Sequence, residues 1–196
     1  MKIQILGFSG SGKSTLAETL SERLSLPVIY LDTVFWLPGW QMRPREEQTE
    51  ILTRFLDEHE GGWVIDGNYT KNCYDRRMQE ADRILFLNFN RFLCLWRILK
   101  RNHMYQGKSR ASMTVGCDEK IDWEFIKWSF WDSRTKKSLA KYQLLRETYG
   151  DKFIELKNPK MVNAFLETMP LRKPIGKEDH HGVVRESHSD RILKMI

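Results

Sequence analysis

The sequence predicts an α/β protein built on a five-stranded parallel sheet with helices on both faces. Short apolar runs of strand type alternate with segments in which apolar residues recur at helical spacing. The runs cover residues 2–6, 26–32, 63–66, 83–89 and 153–156. This alternation favours a parallel sheet, because each intervening helix returns the chain to the same edge before the next strand begins.

A glycine-rich stretch, residues 7–15, follows the first run and meets every position of the pattern G-x-x-x-x-G-K-[ST]. A helical pattern at residues 16–24 comes next, which completes the strand, loop and helix context that the motif requires. Glycines let successive N–H groups turn inward around an anion, and the start of the helix adds its own attraction for phosphate. We expect the following residues to bind ATP: Gly7, Ser9, Gly10, Ser11, Gly12, Lys13, Ser14 and Thr15.

Two predicted strands end in a carboxylate, Asp32 and Asp66. The carboxyl ends of parallel strands line the ligand crevice, so both side chains should face the glycine-rich stretch. We expect Lys13 to reach the β- and γ-phosphates, and Ser14 and Asp66 to hold Mg²⁺, partly through water. Asp32 could orient Mg²⁺-bound water, hold an acceptor hydroxyl or act as a base, and a turn or capping aspartate is an equally open interpretation.

Composition and charge fit a globular protein of one domain with insertions. The 196 residues are 41% hydrophobic and 30% charged. The formal net charge of +6 fits polyanionic ligands such as nucleotides and neither requires nor excludes nucleic acid. Three scattered cysteines without a C-x-x-C pair indicate neither a disulfide framework nor a zinc site. With no recognisable signal peptide or membrane-spanning run, we expect a cytoplasmic protein without a membrane partner.

Residues 33–40 form a predicted loop that is rich in aromatic side chains. They could line an apolar pocket for a base or another flat acceptor, or they could fold onto the core. We interpret residues 32–62 as an acceptor-side insertion. On a short helix further along, Arg76 and Arg77 could clamp a phosphate, with exposed solvated charge as the alternative. Residues 67–69 predict a close approach of the backbone to a ligand.

The remainder of the chain predicts two long helices with a lid between them. The helix that begins at Arg91 is basic towards its end, and its predicted core positions are Leu93, Leu95, Trp96 and Leu99. Residues 104–120 are polar, basic and weakly periodic, as expected for a lid that closes over phosphates. Residues 121–149 predict one long or kinked helix whose aromatic residues pack in the core. Arg134 on this helix could point back to the nucleotide and stabilise charge.

The last predicted elements are the strand at residues 153–156 and a helix from Pro159 to Leu166. Residues 170–196 are rich in charge and irregular in pattern, so we expect a mobile C-terminal tail after a domain of residues 1–169.

Four segments together resemble the bacterial DNA topology modulation proteins, which are themselves similar to adenylate kinase. They are GFSGSGKSTLA, LDTVFWLPGW, WVIDGNY and FLNFNRFLCLWRILKR, and the resemblance spans nearly residues 1–168. It implies a P-loop NTPase fold of the nucleoside monophosphate kinase type, with a lid. Asp66 matches the aspartate of the D-G motif of adenylate kinase. The arginine that follows that motif is absent here, which argues against AMP as acceptor.

The resemblance also implies roles for three arginines. Arg97 and Arg101 fall near the place where related kinases begin their lid, and Arg134 falls where a later arginine returns to the phosphates. Because the predicted lid holds only Cys117, the four-ligand zinc lid of some adenylate kinases is excluded.

These residues predict an Mg²⁺-dependent kinase that transfers the γ-phosphoryl group of ATP to a nucleotide, a nucleoside or a similar small acceptor. The candidate catalytic residues are Lys13, Asp32, Asp66, Arg97, Arg101 and Arg134. The sequence predicts neither the identity of the acceptor nor an oligomeric state. One alternative is a nucleotide-binding regulator associated with DNA topology, whose basic residues at 97–110 and in the tail would contact DNA, although no DNA-binding motif is recognisable. Another is a slow ATPase.

Overall fold

A computed structural model describes residues 1–104, 112–117 and 122–170. Seven strands are present in this part of the chain: β1 (Lys2–Gly7), β2 (Val28–Tyr30), β3 (Trp36–Leu37), β4 (Gln41–Met42), β5 (Trp63–Asp66), β6 (Arg83–Leu87) and β7 (Phe153–Leu156). Five of them form a parallel sheet in the order β2-β5-β1-β6-β7, and β3 pairs antiparallel with β4 in a separate hairpin. The predicted five-stranded parallel sheet is confirmed.

Eight α-helices surround the sheet in the described part of the chain: α1 (Lys13–Leu24), α2 (Leu31–Phe35), α3 (Arg45–Glu58), α4 (Tyr74–Glu80), α5 (Arg91–Met104), α6 (Trp123–Phe130), α7 (Lys136–Tyr149) and α8 (Pro159–Glu167). Short 3₁₀ turns lie at Pro38–Trp40, Asp132–Arg134 and Gly150–Lys152. Within the described ranges, every helix is too short or too polar to span a membrane.

The sheet separates two apolar clusters, which explains why its strands are almost continuously hydrophobic. In β1, Ile3 and Ile5 join the cluster that includes α1 and α8. In β6, Ile84 and Phe86 join the opposite cluster, which includes α3, α4 and α7. Because helices cover both faces, neither set of alternate residues in a central strand can be polar without a buried partner.

A buried polar pair is the exception to this pattern. Gln4 in the central strand β1 and Arg77 in α4 are both completely buried. Gln4 donates through Nε2 to the carbonyls of Ile5, Ile65 and Gly67, each at 3.2 Å, and accepts from Arg77 Nη1 at 2.7 Å. The sequence had suggested that Arg77 could clamp a phosphate or lie exposed as a solvated charge. Its complete burial contradicts both interpretations.

Arg77 also holds the loop that follows β5. It donates to the carbonyls of Tyr69 and Asn72, and burial lowers the pKa of its guanidinium to about 10. The guanidinium remains charged at neutral pH. The cost of removing it from water is offset by the hydrogen bonds that it donates to the strand and to the loop. The chain from residue 67 to residue 73 is thereby fixed to the middle of the sheet.

The predicted helix at residues 121–149 is wrong, because the chain breaks between α6 and α7. Thr135 has an extended backbone (φ −63°, ψ 159°), and its Oγ1 accepts from the Ser138 amide at 3.3 Å to cap α7. The expected burial of the aromatic residues is also wrong: Trp123, Trp128 and Trp131 are 70%, 48% and 52% exposed. Five of the eight residues of α6 are large and apolar, more than one side of a two-turn helix can bury.

Helix α5 buries a different stripe from the one predicted. Cys94 and Ile98 are buried, whereas Trp96 and Leu99 are 55% and 47% exposed. The physical reason is a close approach between α5 and the chain at Gly10. A Cβ atom on Gly10 would lie 2.4 Å from the Cys94 carbonyl oxygen and 2.9 Å from Ile98 Cγ1. The helix therefore packs its backbone against a glycine, which no helical periodicity could reveal.

We predict that Gly10→Ala is far more destabilising than Gly39→Ala. The two glycines have nearly the same φ, +75° and +74°, but a Cβ atom on Gly39 would meet no described residue within 4 Å. Gly39→Ala should therefore cost about 1 kcal/mol from backbone strain alone. Gly10→Ala should cost at least about 2 kcal/mol more, because the Cβ atom clashes with the α5 backbone. The free energy of unfolding in urea measures both, and equal losses would contradict this packing.

Arg77→Leu should destabilise the fold by about 3–5 kcal/mol, because it leaves the Gln4 amide oxygen and two buried carbonyls without their donor. The neighbouring Arg76→Leu is the matched control. Arg76 pairs with Asp57 and Glu80 at the surface, at 2.7 and 2.6 Å, and its loss should cost less than about 1 kcal/mol. Urea unfolding of both variants measures the difference; a smaller loss for Arg77→Leu than for Arg76→Leu would refute the role of the buried pair.

Candidate functional site

The glycine loop, residues 8–12, connects β1 directly to the first turn of α1. Its Gly12 has φ +93°, a left-handed conformation that brings the chain into α1 with the free N–H groups of the helix open towards the loop. The Ser11 amide donates to the Phe8 carbonyl at 3.1 Å, and Lys13 Nζ donates to the same oxygen at 3.1 Å. The arrangement concentrates positive charge and N–H donors in one concave turn.

Seven of the eight residues expected to bind ATP line one large cleft: Ser9, Gly10, Ser11, Gly12, Lys13, Ser14 and Thr15. Gly7 is the exception. Its backbone is still part of β1 and is hydrogen-bonded to the Asn68 side chain. Asn68 Oδ1 accepts from the Gly7 amide at 3.0 Å, and Asn68 Nδ2 donates to the Gly7 carbonyl at 2.7 Å. Gly7 therefore lies off the cleft wall and supports the start of the loop, and its part in ATP binding stays a prediction.

Ser14 and Asp66 meet as the sequence predicted. Ser14 lies in the first turn of α1 and Asp66 ends β5, the strand beside β1. Ser14 Oγ donates to Asp66 Oδ2 at 2.7 Å, and Asp66 is only 5% exposed. Hydroxyl and carboxylate oxygens are the ligands that Mg²⁺ prefers, usually together with water and substrate phosphates.

The oxygen atoms of Ser14 and Asp66 suit Mg²⁺, but two side chains are too few for a metal site made of protein ligands alone. Among the described residues, no group of three or more His, Cys, Asp or Glu side chains could hold a metal ion. Cys117, the single cysteine of the predicted lid, is buried and donates through Sγ to the Leu37 carbonyl at 3.2 Å.

Asp32 lies on the same cleft as Asp66, but on a different element from the one predicted. Strand β2 ends at Tyr30 and is only partly buried, because it is the edge strand of the sheet. Asp32 belongs to the first turn of α2. Its Oδ1 accepts from the Tyr69 hydroxyl at 2.8 Å, so a short helix and the loop after β5 together set the position of this carboxylate.

Tyr69 is a functional candidate that sequence reasoning missed. Its ring stacks on Phe35 with centroids 4.3 Å apart, and it lines the cleft. Burial, followed by the negative charge of Asp32, raises the pKa of its phenol far above the usual range. Tyr69 is therefore a hydrogen-bond donor to Asp32 at neutral pH. Its place directly after the strand ending at Asp66 was the available signal.

Asn68 was also missed, and its neighbour Gly67 has a packing role that the sequence did not predict. The predicted approach of a ligand to the backbone of residues 67–69 stays a prediction, and all three residues line the cleft. A Cβ atom on Gly67 would lie 2.7 Å from Leu31 Cβ, so the glycine also makes room for the start of α2. Asn68 then bridges the backbone of Gly7, which joins the loop after β5 to the glycine loop.

The three predicted arginines lie around the glycine loop in different ways. Arg97 and Arg101 line the cleft from α5. Arg97 Nη1 donates to the Ser11 carbonyl at 3.2 Å, its guanidinium lies 5.3 Å from the centre of the Phe89 ring, and burial lowers its pKa. It remains a cation beside the loop.

Arg134 lies behind the loop, off the cleft wall. Its guanidinium carbon is 3.7 Å from the centre of the Phe8 ring, and Nη2 donates to Cys94 Sγ at 3.3 Å. Burial lowers the pKa of Arg134 and raises that of the Cys94 thiol, so a cation faces a neutral sulfur acceptor. Arg134 therefore adds positive charge near the loop through Phe8, without a direct approach to the cleft.

The aromatic segment at residues 33–40 forms part of α2 and of the β3–β4 hairpin, and not a plain loop. Phe35, Trp36 and Trp40 all line the cleft, as one of the two sequence interpretations proposed. The cleft volume is about 2000 Å³. Because pockets for single small ligands measure about 300–1000 Å³, this cleft has room for two.

The described part of the predicted lid, residues 112–117, is attached to this hairpin. Thr114 Oγ1 donates to the Trp36 carbonyl at 2.7 Å, and the Gly39 amide donates to the Gly116 carbonyl at 3.1 Å. Residues 105–111 and 118–120 of the predicted lid lie outside the described residues, as do residues 171–196 of the predicted tail.

No protein-family model matches this sequence, and a search of curated proteins also finds no match. The resemblance to topology modulation proteins and adenylate kinase therefore stays a prediction that rests on the residues quoted for it.

We predict that Thr114→Val loosens the attachment of residues 112–117 to the hairpin. Loss of one side-chain hydrogen bond of about 1 kcal/mol should speed hydrogen exchange of the Gly39 amide roughly fivefold. Thr49→Val is the matched control, because Thr49 Oγ1 donates within α3, at 2.9 Å to the Arg45 carbonyl. An unchanged Gly39 rate in Thr114→Val would show that the threonine does not hold the two segments together.

Proposed function

We propose that this protein is an Mg²⁺-dependent kinase with a P-loop fold of the nucleoside monophosphate kinase type, and that it transfers the γ-phosphoryl group of ATP to a small acceptor. The observation that supports this most directly is the 2.7 Å hydrogen bond between Ser14 and Asp66 at the end of the glycine loop. A chance match to the loop pattern would not require a carboxylate from the neighbouring strand to meet the serine of the motif.

The glycine loop supplies the phosphate site in this proposal. The opening N–H groups of α1 and the Lys13 ammonium offer donors and positive charge to the β- and γ-phosphates. Arg97 and Arg101 line the same cleft from α5, and Arg97 donates to the Ser11 carbonyl in the glycine loop. Phosphoryl transfer needs little covalent help from a protein, so placement of the triphosphate among fixed cations is the main contribution.

Ser14 and Asp66 would hold Mg²⁺, which neutralises charge on the β- and γ-phosphates when it is bound. Asp66 is nearly buried and fixed by the register between β1 and β5, so its carboxylate needs little rearrangement. Ser14 is fixed by the first turn of α1. These two side chains would hold the metal, and Lys13 would contact the β- and γ-phosphates.

The remaining half of the cleft would hold the acceptor. We assign that part to Asp32 and Tyr69 with Phe35, Trp36 and Trp40, which line the cleft and are linked to one another by side-chain contacts. Arg134 supports the site indirectly, since its guanidinium stacks on Phe8 in the glycine loop. A slow ATPase differs from this kinase only in that water takes the place of the acceptor, so product analysis distinguishes the two.

We predict that Lys13→Ala lowers ATP turnover at least about 100-fold, because the variant loses a cation that acts on the transferring group. Phosphorus NMR of Mg-ATP with a panel of small acceptors measures both ATP consumption and product. Thermal unfolding should change little, since Lys13 makes one partly exposed hydrogen bond.

Lys157→Ala is the control for loss of a lysine, because its side chain is 63% exposed and lies beyond β7. It should consume ATP at the wild-type rate. Turnover by Lys13→Ala equal to that of Lys157→Ala would exclude the proposed kinase mechanism.

A further inference from the structure

Two carboxylates lie near one edge of the sheet, Asp66 at the end of β5 and Asp32 in the first turn of α2, and in the proposed function only Asp66 belongs to the phosphate side. Tyr30 in β2 pairs in register with Asp66 in β5, and Asp32 follows Tyr30 by two residues. Asp66 accepts a hydrogen bond from the Ser14 hydroxyl, whereas Asp32 accepts one from the Tyr69 hydroxyl. Both line the same cleft. Asp32 therefore follows, by two residues, the point at which β2 pairs with Asp66, and it lines the same cleft as the glycine loop.

The bond from Tyr69 leaves Asp32 with capacity to accept more hydrogen bonds. An ionised carboxylate has about four lone-pair sites, and the tyrosine hydroxyl uses one of them. Tyr69 itself cannot accept the proton of a substrate as a phenolate, because it keeps its own proton at neutral pH. Phe35 stacks on the Tyr69 ring and holds this donor in place. The pair is thus built to accept a hydrogen bond from a ligand.

Three arginines between β4 and the end of α4, namely Arg43, Arg76 and Arg77, are engaged by protein groups. Arg43 donates through Nε to the Val34 carbonyl at 2.9 Å and pairs with Glu47 at 3.5 Å. Arg76 is paired at the surface with Asp57 and Glu80, and Arg77 is buried beneath the loop after β5. A phosphate that attacks as nucleophile would meet the Asp32 carboxylate, and repulsion between like charges disfavours that encounter.

Other cations lie on the cleft wall, namely Arg45, Lys71 and Lys141. They permit an anionic substituent elsewhere on the acceptor. They do not change the group that Asp32 is suited to contact, which is a hydrogen-bond donor.

We propose that the phosphoryl acceptor is an alcohol, a small hydroxylated molecule with a ring that packs against the aromatic wall of Phe35, Trp36 and Trp40, and that Asp32 binds the reacting hydroxyl. This proposal rests on the proposed kinase function. The hydroxyl oxygen forms a bond to the γ-phosphorus, and the bond from that phosphorus to the β,γ-bridging oxygen breaks, with its electron pair leaving on ADP. The hydroxyl proton passes to an Asp32 carboxylate oxygen.

Phosphorus NMR of the product distinguishes an alcohol acceptor from a phosphate acceptor. Wild-type protein with Mg-ATP is given nucleosides, sugars and polyols, and separately nucleoside monophosphates. The expected product is a phosphomonoester, whose new resonance shows no phosphorus–phosphorus coupling. A new coupled phosphoanhydride resonance would overturn the alcohol proposal and leave the kinase proposal standing. Lys13-dependent release of phosphate with no phosphorylated product would also overturn it, and ATP consumption that does not need Lys13 would overturn both proposals.

The Asp32→Asn variant tests whether Asp32 takes the proton of the acceptor hydroxyl. The amide keeps the shape but cannot take the proton, so phosphorylation of the acceptor should fall at least about 100-fold. Binding of a fluorescent ATP analogue should stay within about twofold of wild type, because Asp32 is on the acceptor side. Asp57→Asn is the matched control, a carboxylate on the same side of the sheet that is 57% exposed and pairs with Arg76. Phosphorylation by Asp32→Asn at the rate of Asp57→Asn would overturn the role of Asp32.

The Tyr69→Phe variant distinguishes the positioning of Asp32 from proton transfer to Asp32. It also tests whether a loss of activity comes from misfolding. The variant keeps the ring stack on Phe35 and loses only the hydroxyl. It should lower kcat about tenfold with little change in KM for ATP, and both variants should unfold at temperatures near that of wild type. A larger loss in Tyr69→Phe than in Asp32→Asn would assign the main role to the tyrosine and overturn the proposal.

Discussion

The buried guanidinium of Arg77 is the interaction on which the floor of the cleft depends. It joins the central strand, through Gln4, to the carbonyls of the loop after β5. That loop carries Asn68, which holds the backbone of Gly7, and Tyr69, which holds Asp32. One buried cation of α4 is therefore connected both to the start of the glycine loop and to the Asp32 carboxylate. A buried charge is costly to desolvate. The neutral groups that accept its hydrogen bonds must therefore be held in fixed positions.

A second constraint acts from the opposite side of the glycine loop. Helix α5 approaches so closely at Gly10 that its backbone forms part of the wall behind the loop. Arg97 then reaches the Ser11 carbonyl from the next turn of the same helix. The cation and the loop are consequently parts of one packed unit. The position of Arg97 relative to the phosphate site thus depends on a contact between backbones, which is stiffer than any contact between long side chains.

The sequence predicted what local pattern determines and missed what distant contacts determine. Strand runs and the glycine motif predicted the five parallel strands and the meeting of Ser14 with Asp66, because apolar periodicity and strand ends fix these features. The buried face of α5 was beyond such reasoning, since it depends on the missing side chain of Gly10 in a different element. Arg77 was misjudged for a related reason: its partner Gln4 is 73 residues away, and arginine is rarely buried completely.

The two carboxylates of the cleft also show why residue type alone could not assign their roles. Asp66 is nearly buried and accepts a hydrogen bond from the Ser14 hydroxyl in the first turn of α1, and Asp32 accepts one from a tyrosine that stays protonated. Similar groups in different surroundings can hold a metal in one case and accept a proton in the other. The loop after β5 makes this division possible, because Asn68 and Tyr69 fill with neutral donors the place where a guanidinium would favour a phosphate. If the proposed kinase function is right, a carboxylate held by a neutral donor would suit an acceptor that brings a proton of its own.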